Sequence, residues 1–179
     1  MDNLVIRTKL EALPLLETVS DILVSDRFDY AFKHAAWEKL KAKFFDGHLS
    51  VVESAYLCLF DLLYTLEGPF SFVMNSVICA LITEGHHDIW SELKQRFVSS
   101  FSDVLEIPLS TRLKFLNSHG FEFFSEICPR KIRNAIAHQN FKIEPDGSIA
   151  YDGKEMSLSE LRRITDRMVT VVKLFVDSL

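Results

Sequence analysis

The sequence predicts an all-α fold, a helical bundle with a small β-hairpin-like insertion before the C-terminal helix. Three observations predict it. Apolar residues recur at three- and four-residue steps along most of the chain. Two Ser-x-x-Glu capping boxes, Ser50 with Glu53 and Ser157 with Glu160, mark helix starts. A single stretch, 141–151, changes to short β-like runs on either side of Pro145-Asp146-Gly147. The chain has 179 residues, 48% of them apolar, with 15 Phe and few Gly or Pro. That composition buries one sizeable core, and with no Gly/Ser linker, repeat or low-complexity block it predicts a single domain over 1–179.

The elements follow in order. No element is assigned before Pro14; Leu15 to Val24 and Phe28 to Phe45 read as helices, the second with Phe32, Ala36, Leu40 and Phe44 in one stripe. Gly47 ends it. The Ser50–Glu53 box opens an apolar helix to about Leu66, and Gly68-Pro69 is expected to break the chain before a buried helix over Phe70 to Ile82. That segment is too short for a bilayer and contains Asn75 and Ser76. Gly85 separates it from a helix expected near Ile89 to Ser99. Ser110 is placed as the cap of a short helix closed by Gly120, and Phe121 to Ile127 follows. Pro129 suits the first position of the next helix, which ends near Gln139. After the hairpin, Leu158, Leu161, Ile164, Met168, Val172 and Phe175 line one face of a long amphipathic final helix.

The net charge of −5 does not mark a general nucleic-acid binder. The charge is uneven, however. No acidic residue falls between Glu126 and Glu144, whereas Arg130, Lys131, Arg133 and Lys142 do, and screening over about 8–10 Å lets such a window act locally. Cys58, Cys79 and Cys128 are scattered among apolar neighbours and read as buried thiols. The N-terminus lacks signal-peptide features, so a cytoplasmic protein without membrane association is expected.

The basic window contains Arg133-Asn134-Ala135-Ile136-Ala137-His138. On a helix, Cys128, Ile132, Ala135 and Ile136 form a core-facing stripe. Asn134 and His138, about 40° apart, lie on the opposite face, with small Ala137 beside them. Arg133 and His138 are about 140° apart on an ideal helix. Either the helix distorts at its end or a second chain supplies the missing group, as a two-fold pairing of the same patch would. The residue types suit phosphodiester chemistry. His titrates near neutrality and serves as base or acid, and Arg offers a fork of donors to developing phosphorane charge. No metal-ligand cluster accompanies them.

The stretch Arg130 through Lys142 resembles the motif of the HEPN family: an Arg, a polar residue directly after it, and a His four to six residues beyond. The likeness extends through the Gly147 and Gly153 hairpin into the capped terminal helix, about the last 50 residues of the chain. The resemblance implies an all-α domain, a homodimer through the motif helix, and a metal-independent endoribonuclease that cleaves RNA by 2′-OH transesterification without a cofactor. It also implies a toxin or host-defence setting, with a cognate antitoxin or regulatory protein as partner. Arg133 and His138 are the implied catalytic pair and Asn134 the polar assistant; Arg130, Lys131 and Lys142 are expected to bind RNA. Some relatives carry a Tyr two residues after the His, modified by a partner nucleotidyltransferase; here that position is Asn140. The competing reading is a catalytically silent HEPN-like module that binds nucleotide or RNA, or assembles with protein, through the same patch.

Other candidates carry less. Arg112 and His119 fit a looser Arg-to-His spacing, but Leu113 follows the Arg and the context is not basic, so both are read as surface. His86 and His87, beside Glu84 and Asp88, read as a solvated loop. His34 and His48 stand alone. Asp61, inside an apolar helix, needs a partner and reads as half of a structural pair. Trp37 and Trp90 are expected in the core. Arg162, Arg163 and Arg167 on the last helix read either as a track for an RNA backbone or, with Glu160 and Asp166 nearby, as a solvated face.

Overall fold

The computed structural model of the protein describes residues 2–14, 37–39, 41, 42, 47, 49–91 and 94–179. The expected helix over 15–24, most of that over 28–45, and both His34 and His48 lie outside the described residues; 37–39 and 41–42 are helical. Among the described residues the chain is mostly helical, with eight α-helices and two small antiparallel sheets. The all-α expectation is corrected to that extent.

Helix α1 (Asn3–Glu11), to which the sequence reading gave no element, is capped by the Asp2 carboxylate on the Leu4 N–H and buries Ile6 and Leu10 against the C-terminal helix. Helix α2 (Val51–Thr65) begins at the Ser50–Glu53 capping box, both halves of which are formed. The break expected at Gly68-Pro69 does not occur. A π-helical turn, Leu66–Phe70, carries the chain directly into α3 (Ser71–Thr83), so the backbone is helical from Val51 to Thr83. Proline lacks an N–H and crowds the carbonyl of a normal α turn, and the wider π turn accommodates it. All of α3 except Phe72 and Thr83 is buried. The continuous helix is 33 residues long and apolar enough to cross a membrane, yet 83% of its most apolar window is buried inside the protein.

Gly85, at φ +99°, turns the chain away from α3. The expected helix over 89–99 is absent; strands β1 (Trp90–Ser91) and β2 (Arg96–Phe97) form a small antiparallel hairpin instead. The cause lies downstream. Buried Asp103 draws in Lys94 Nζ at 2.7 Å, Arg96 Nη2 at 2.9 Å and the Ser99 N–H at 3.2 Å, and a chain folded back on itself delivers all three. Trp90 and Phe97 meet edge to face across the hairpin at 5.2 Å, and both are exposed, which corrects the core placement of Trp90.

Asp103 lies on α4 (Phe101–Glu106), capped by Ser100 and also unassigned from sequence. Helix α5 (Leu109–Ser118) starts behind Pro108 rather than at a Ser110 cap, and Gly120 closes it at φ +84°. Short α6 (Phe123–Ile127) leads to α7 (Arg130–Ala137), with Pro129 in the cap position rather than the first turn. The insertion has three strands where a two-stranded hairpin is expected: β3 (Phe141–Ile143), β4 (Ile149–Tyr151) and β5 (Lys154–Met156), in antiparallel order. At Gly147 a Cβ would lie 2.5 Å from Val51 Cγ1 and 3.2 Å from Leu158 Cδ1. The glycine therefore lets the sheet press against the starts of α2 and α8 (Leu158–Asp177). Ser157 caps α8, which packs on α1 and α2 and completes the core.

The hydrogen bond from Lys94, with further support from Ser99, Ser100 and Arg96, holds the Asp103 carboxyl well below the usual carboxylate range. A depressed folded value stabilises the native state above the unfolded pKa, near 4, and that contribution is lost as pH falls. In urea titrations from pH 7 to pH 3, Asp103→Asn is expected to be less stable at pH 7 and to lose less stability on acidification than wild type. Parallel pH profiles would contradict this account of the hairpin.

Candidate functional site

Helix α7 buries Ile132 and Ala135, packs Ile136 against the core, and continues the stripe back to buried Cys128. Asn134, Ala137 and His138 are exposed on the other side, as the spacing predicts. The first turn is basic and carries no acidic residue, with Arg130 and Lys131 exposed. Cations there oppose the helix dipole, so local stability alone does not favour this arrangement.

The helix ends without distorting the motif. His138 is the C-cap and its N–H bonds Asn134 O at 3.0 Å. Gln139 then turns left-handed at φ +56°, its N–H reaching Ile136 O at 3.1 Å, while the Asn140 N–H reaches back to Ala135 O at 2.7 Å. This is a Schellman closure with glutamine where glycine is commoner. The left-handed turn comes after His138, so the separation of about 140° between Arg133 and His138 is retained. No hydrogen bond joins the two side chains among the described residues.

Arg133 is directed across the fold. Its Nε donates to Glu67 Oε1 at 2.6 Å and its Nη1 to Asn134 Oδ1 at 3.3 Å. Glu67 belongs to the π turn between α2 and α3. The structure thus brings Arg133 and Asn134 together, leaves the His138 imidazole facing solvent, and sets Lys142 on β3 with its ammonium 2.9 Å from Glu144. Burial is the main cause that pushes the Cys128 thiol, just before this helix, up to about 11. It is an apolar packing residue rather than a nucleophile.

Arg112, read from sequence as a surface residue, is not one. Its Nη1 donates to Asn75 Oδ1 at 2.8 Å and Ser71 Oγ at 3.1 Å, and its Nε is buried without a partner. Burial lowers its pKa, and Glu67, Cys128 and Arg133 act on it electrostatically. The lack of basic neighbours in sequence says nothing about packing: α5 lies on α3 and aims Arg112 at that helix's polar pair. Asn75 in an otherwise apolar run was the signal that a polar partner was needed, whereas Ser76 bonds Phe72 O at 2.9 Å within its own helix. His119 is also enclosed, its side chain 12% exposed, with Nδ1 2.8 Å from Phe115 O and Nε2 3.3 Å from Asp88. Glu67 gave no signal in the sequence, because its role comes only from the helical joint.

The remaining candidates separate clearly. Asp61 is paired as expected, with Trp37 Nε1 at 3.0 Å and Lys41 Nζ at 3.3 Å. The three cysteines are buried and free. His86 and His87 are exposed, and no group of three or more metal-ligating side chains converges among the described residues. Arg162 and Arg163 are both exposed, and Arg162 turns its Nε toward Cys58 Sγ at 3.4 Å. Comparison with protein-family models, with curated proteins and with solved structures finds no match.

Removing Arg112 strands the oxygens of buried Asn75 and Ser71. Arg112→Ala is expected to cost about 2–4 kcal/mol, whereas exposed Arg130→Ala stays within about 0.5 kcal/mol. Equal effects in urea unfolding would show that Arg112 is not the buried anchor described.

Proposed function

We propose that the protein is a HEPN-like, metal-independent endoribonuclease that acts as a homodimer through α7. The observation that carries this reading is the outward face of that helix. Asn134 and His138 are exposed beside Arg133, whose guanidinium is fixed by Glu67 and Asn134 within the basic window. An arginine held through Nε by Glu67 and through Nη1 by Asn134 keeps its remaining N–H donors for an anion. The basic first turn, unfavourable for an isolated helix, is suited to a phosphate backbone.

In the proposed reaction His138 takes the proton of a ribose 2′-OH, whose oxygen attacks the adjacent phosphorus. The P–O5′ bond breaks, a proton is returned to the leaving 5′ oxygen, and a 2′,3′-cyclic phosphate remains. Arg133 stabilises the charge that builds on the non-bridging oxygens. Because Arg133 and His138 of one chain diverge, the pair acting on one phosphate comes from two protomers related by a two-fold axis. Exposed Ala137 permits the helices to approach. Arg130, Lys131 and Lys142 then line the RNA path, and an antitoxin or regulatory protein would cover the same face.

One observation favours the alternative, a module that binds RNA or protein without cutting: Glu67 already engages Arg133 at 2.6 Å. The two readings part in a cleavage assay on mixed RNA. Arg133→Ala and His138→Ala are each expected to fold and to lose at least about a hundredfold in rate, with cleavage by wild type continuing in excess chelator. Wild-type cutting by His138→Ala would overturn the site, and binding without cutting by wild type would leave the silent module.

A further inference from the structure

The basic window holds four cations, and the fold treats them unequally. Arg130 and Lys131 have no ion-pair partner among the described residues, and Lys142 meets Glu144, two positions further on. Arg133 is neutralised from another element. Glu67 Oε1 lies 2.6 Å from its Nε, although the two residues are 66 positions apart in the chain. The side chains of Arg133 and Glu67 are 33% and 49% exposed, and a pair so open to water adds little stability. Stability therefore does not account for an acid on the one cation of the window that the phosphate chemistry requires.

A guanidinium grips a phosphate with two adjacent donors, on the side edge through Nε and Nη2 or on the end edge through Nη1 and Nη2. Glu67 engages Nε of the first, and Asn134 Oδ1 lies 3.3 Å from Nη1 of the second. Each edge thus has one nitrogen already in use, and an approaching phosphate also meets the negative charge of Glu67. We propose that the Glu67–Arg133 pair is an autoinhibitory contact, which keeps the site weak for RNA until a phosphate takes the Nε–Nη2 edge from the carboxylate. The identity of the anion rests on the ribonuclease reading above. Opening needs only side-chain rotation, because Glu67 stands on the π turn inside one continuous helix. The released carboxylate is not left without a counter-charge. Arg112, whose Nε is buried without a partner, already interacts with it electrostatically. Removing the acid therefore strengthens RNA binding, the opposite of what losing a structural salt bridge would do.

Two readouts test this. In the first, non-cleavable 2′-O-methyl RNA is titrated into wild type, Glu67→Gln, Arg133→Ala and the double variant, each checked for folding by urea titration. Glutamine keeps the shape and acceptor oxygen of Glu67 without its charge. Glu67→Gln is expected to bind about two- to fivefold more tightly than wild type, and to raise kcat/KM on a cleavable oligonucleotide by a similar factor. In the Arg133→Ala background the same change should lose most of that gain, since no guanidinium is left to free. Glu126→Gln, an equal change of charge at the exposed acid bordering the window, should gain less. In the second, the Arg133 Nε–H signal of labelled wild type should move as RNA replaces the carboxylate. Tighter binding by Glu67→Gln without cleavage by any variant would support the contact and refute the ribonuclease. Cleavage that needs His138, with Glu67→Gln binding no tighter than wild type, would refute the contact and leave the ribonuclease intact. An equal gain in the Arg133→Ala background or in Glu126→Gln, or an Nε–H signal unmoved at saturation, would also overturn the proposal.

Discussion

The helical joint at Leu66–Phe70 is the constraint on which the rest of the structure depends. By absorbing Pro69 in a π turn it makes Val51 to Thr83 one helix. It thereby drives α3 through the middle of the core, where Phe70, Met74 and Ile78 are fully enclosed. The same turn presents Glu67 to α7, and the first turn of α3 presents Ser71 and Asn75 to Arg112. One irregularity therefore buries the apolar centre and places the acid that orients the motif arginine. Two cations, Arg112 beneath and Arg133 above, act on that single carboxylate, so the motif keeps a local positive surplus within an acidic chain.

The functional consequence comes from what α7 does not do. Its closure after His138 is ordered by two backbone bonds, and the turn that could have swung the imidazole toward Arg133 falls one residue too late. Glu67 then fixes the guanidinium on its own side. A single chain thus leaves Arg133 and His138 on different sides of the helix end, and on the proposed reading a two-fold related copy would bring one of each together. In one protomer His138 is exposed and Arg133 half-buried; the proposed pairing would exclude water around both, where preorganised charges act strongly.

What could be read from the sequence follows the range of the interactions. The caps at Ser50 and Ser157 are bonds between a side chain and backbone three residues away, so the sequence displays them directly. The motif face was legible because helix periodicity alone decides that Ile132 and Ala135 turn inward while Asn134 and His138 turn out. The 89–99 segment was misread because the force that folds it comes from Asp103, outside the window in which periodicity is judged. Gly68-Pro69 was misread because a proline has two solutions in helical context, a break or a widened turn, and the choice is made by packing of α3. Arg112 was dismissed on its neighbours in sequence when its partners are on another helix.

The most direct measurement of the central claim, that one phosphate is handled by Arg133 of one chain and His138 of the other, is complementation between the two inactive variants. Arg133→Ala and His138→Ala chains would be co-expressed, purified as a mixed population and assayed for RNA cleavage beside each variant alone. The account predicts that the mixture regains a substantial fraction of wild-type activity, because mixed dimers contain one intact composite pair. A mixture as inert as its components, or a wild-type protein fully active as a monomer in sedimentation, would contradict it.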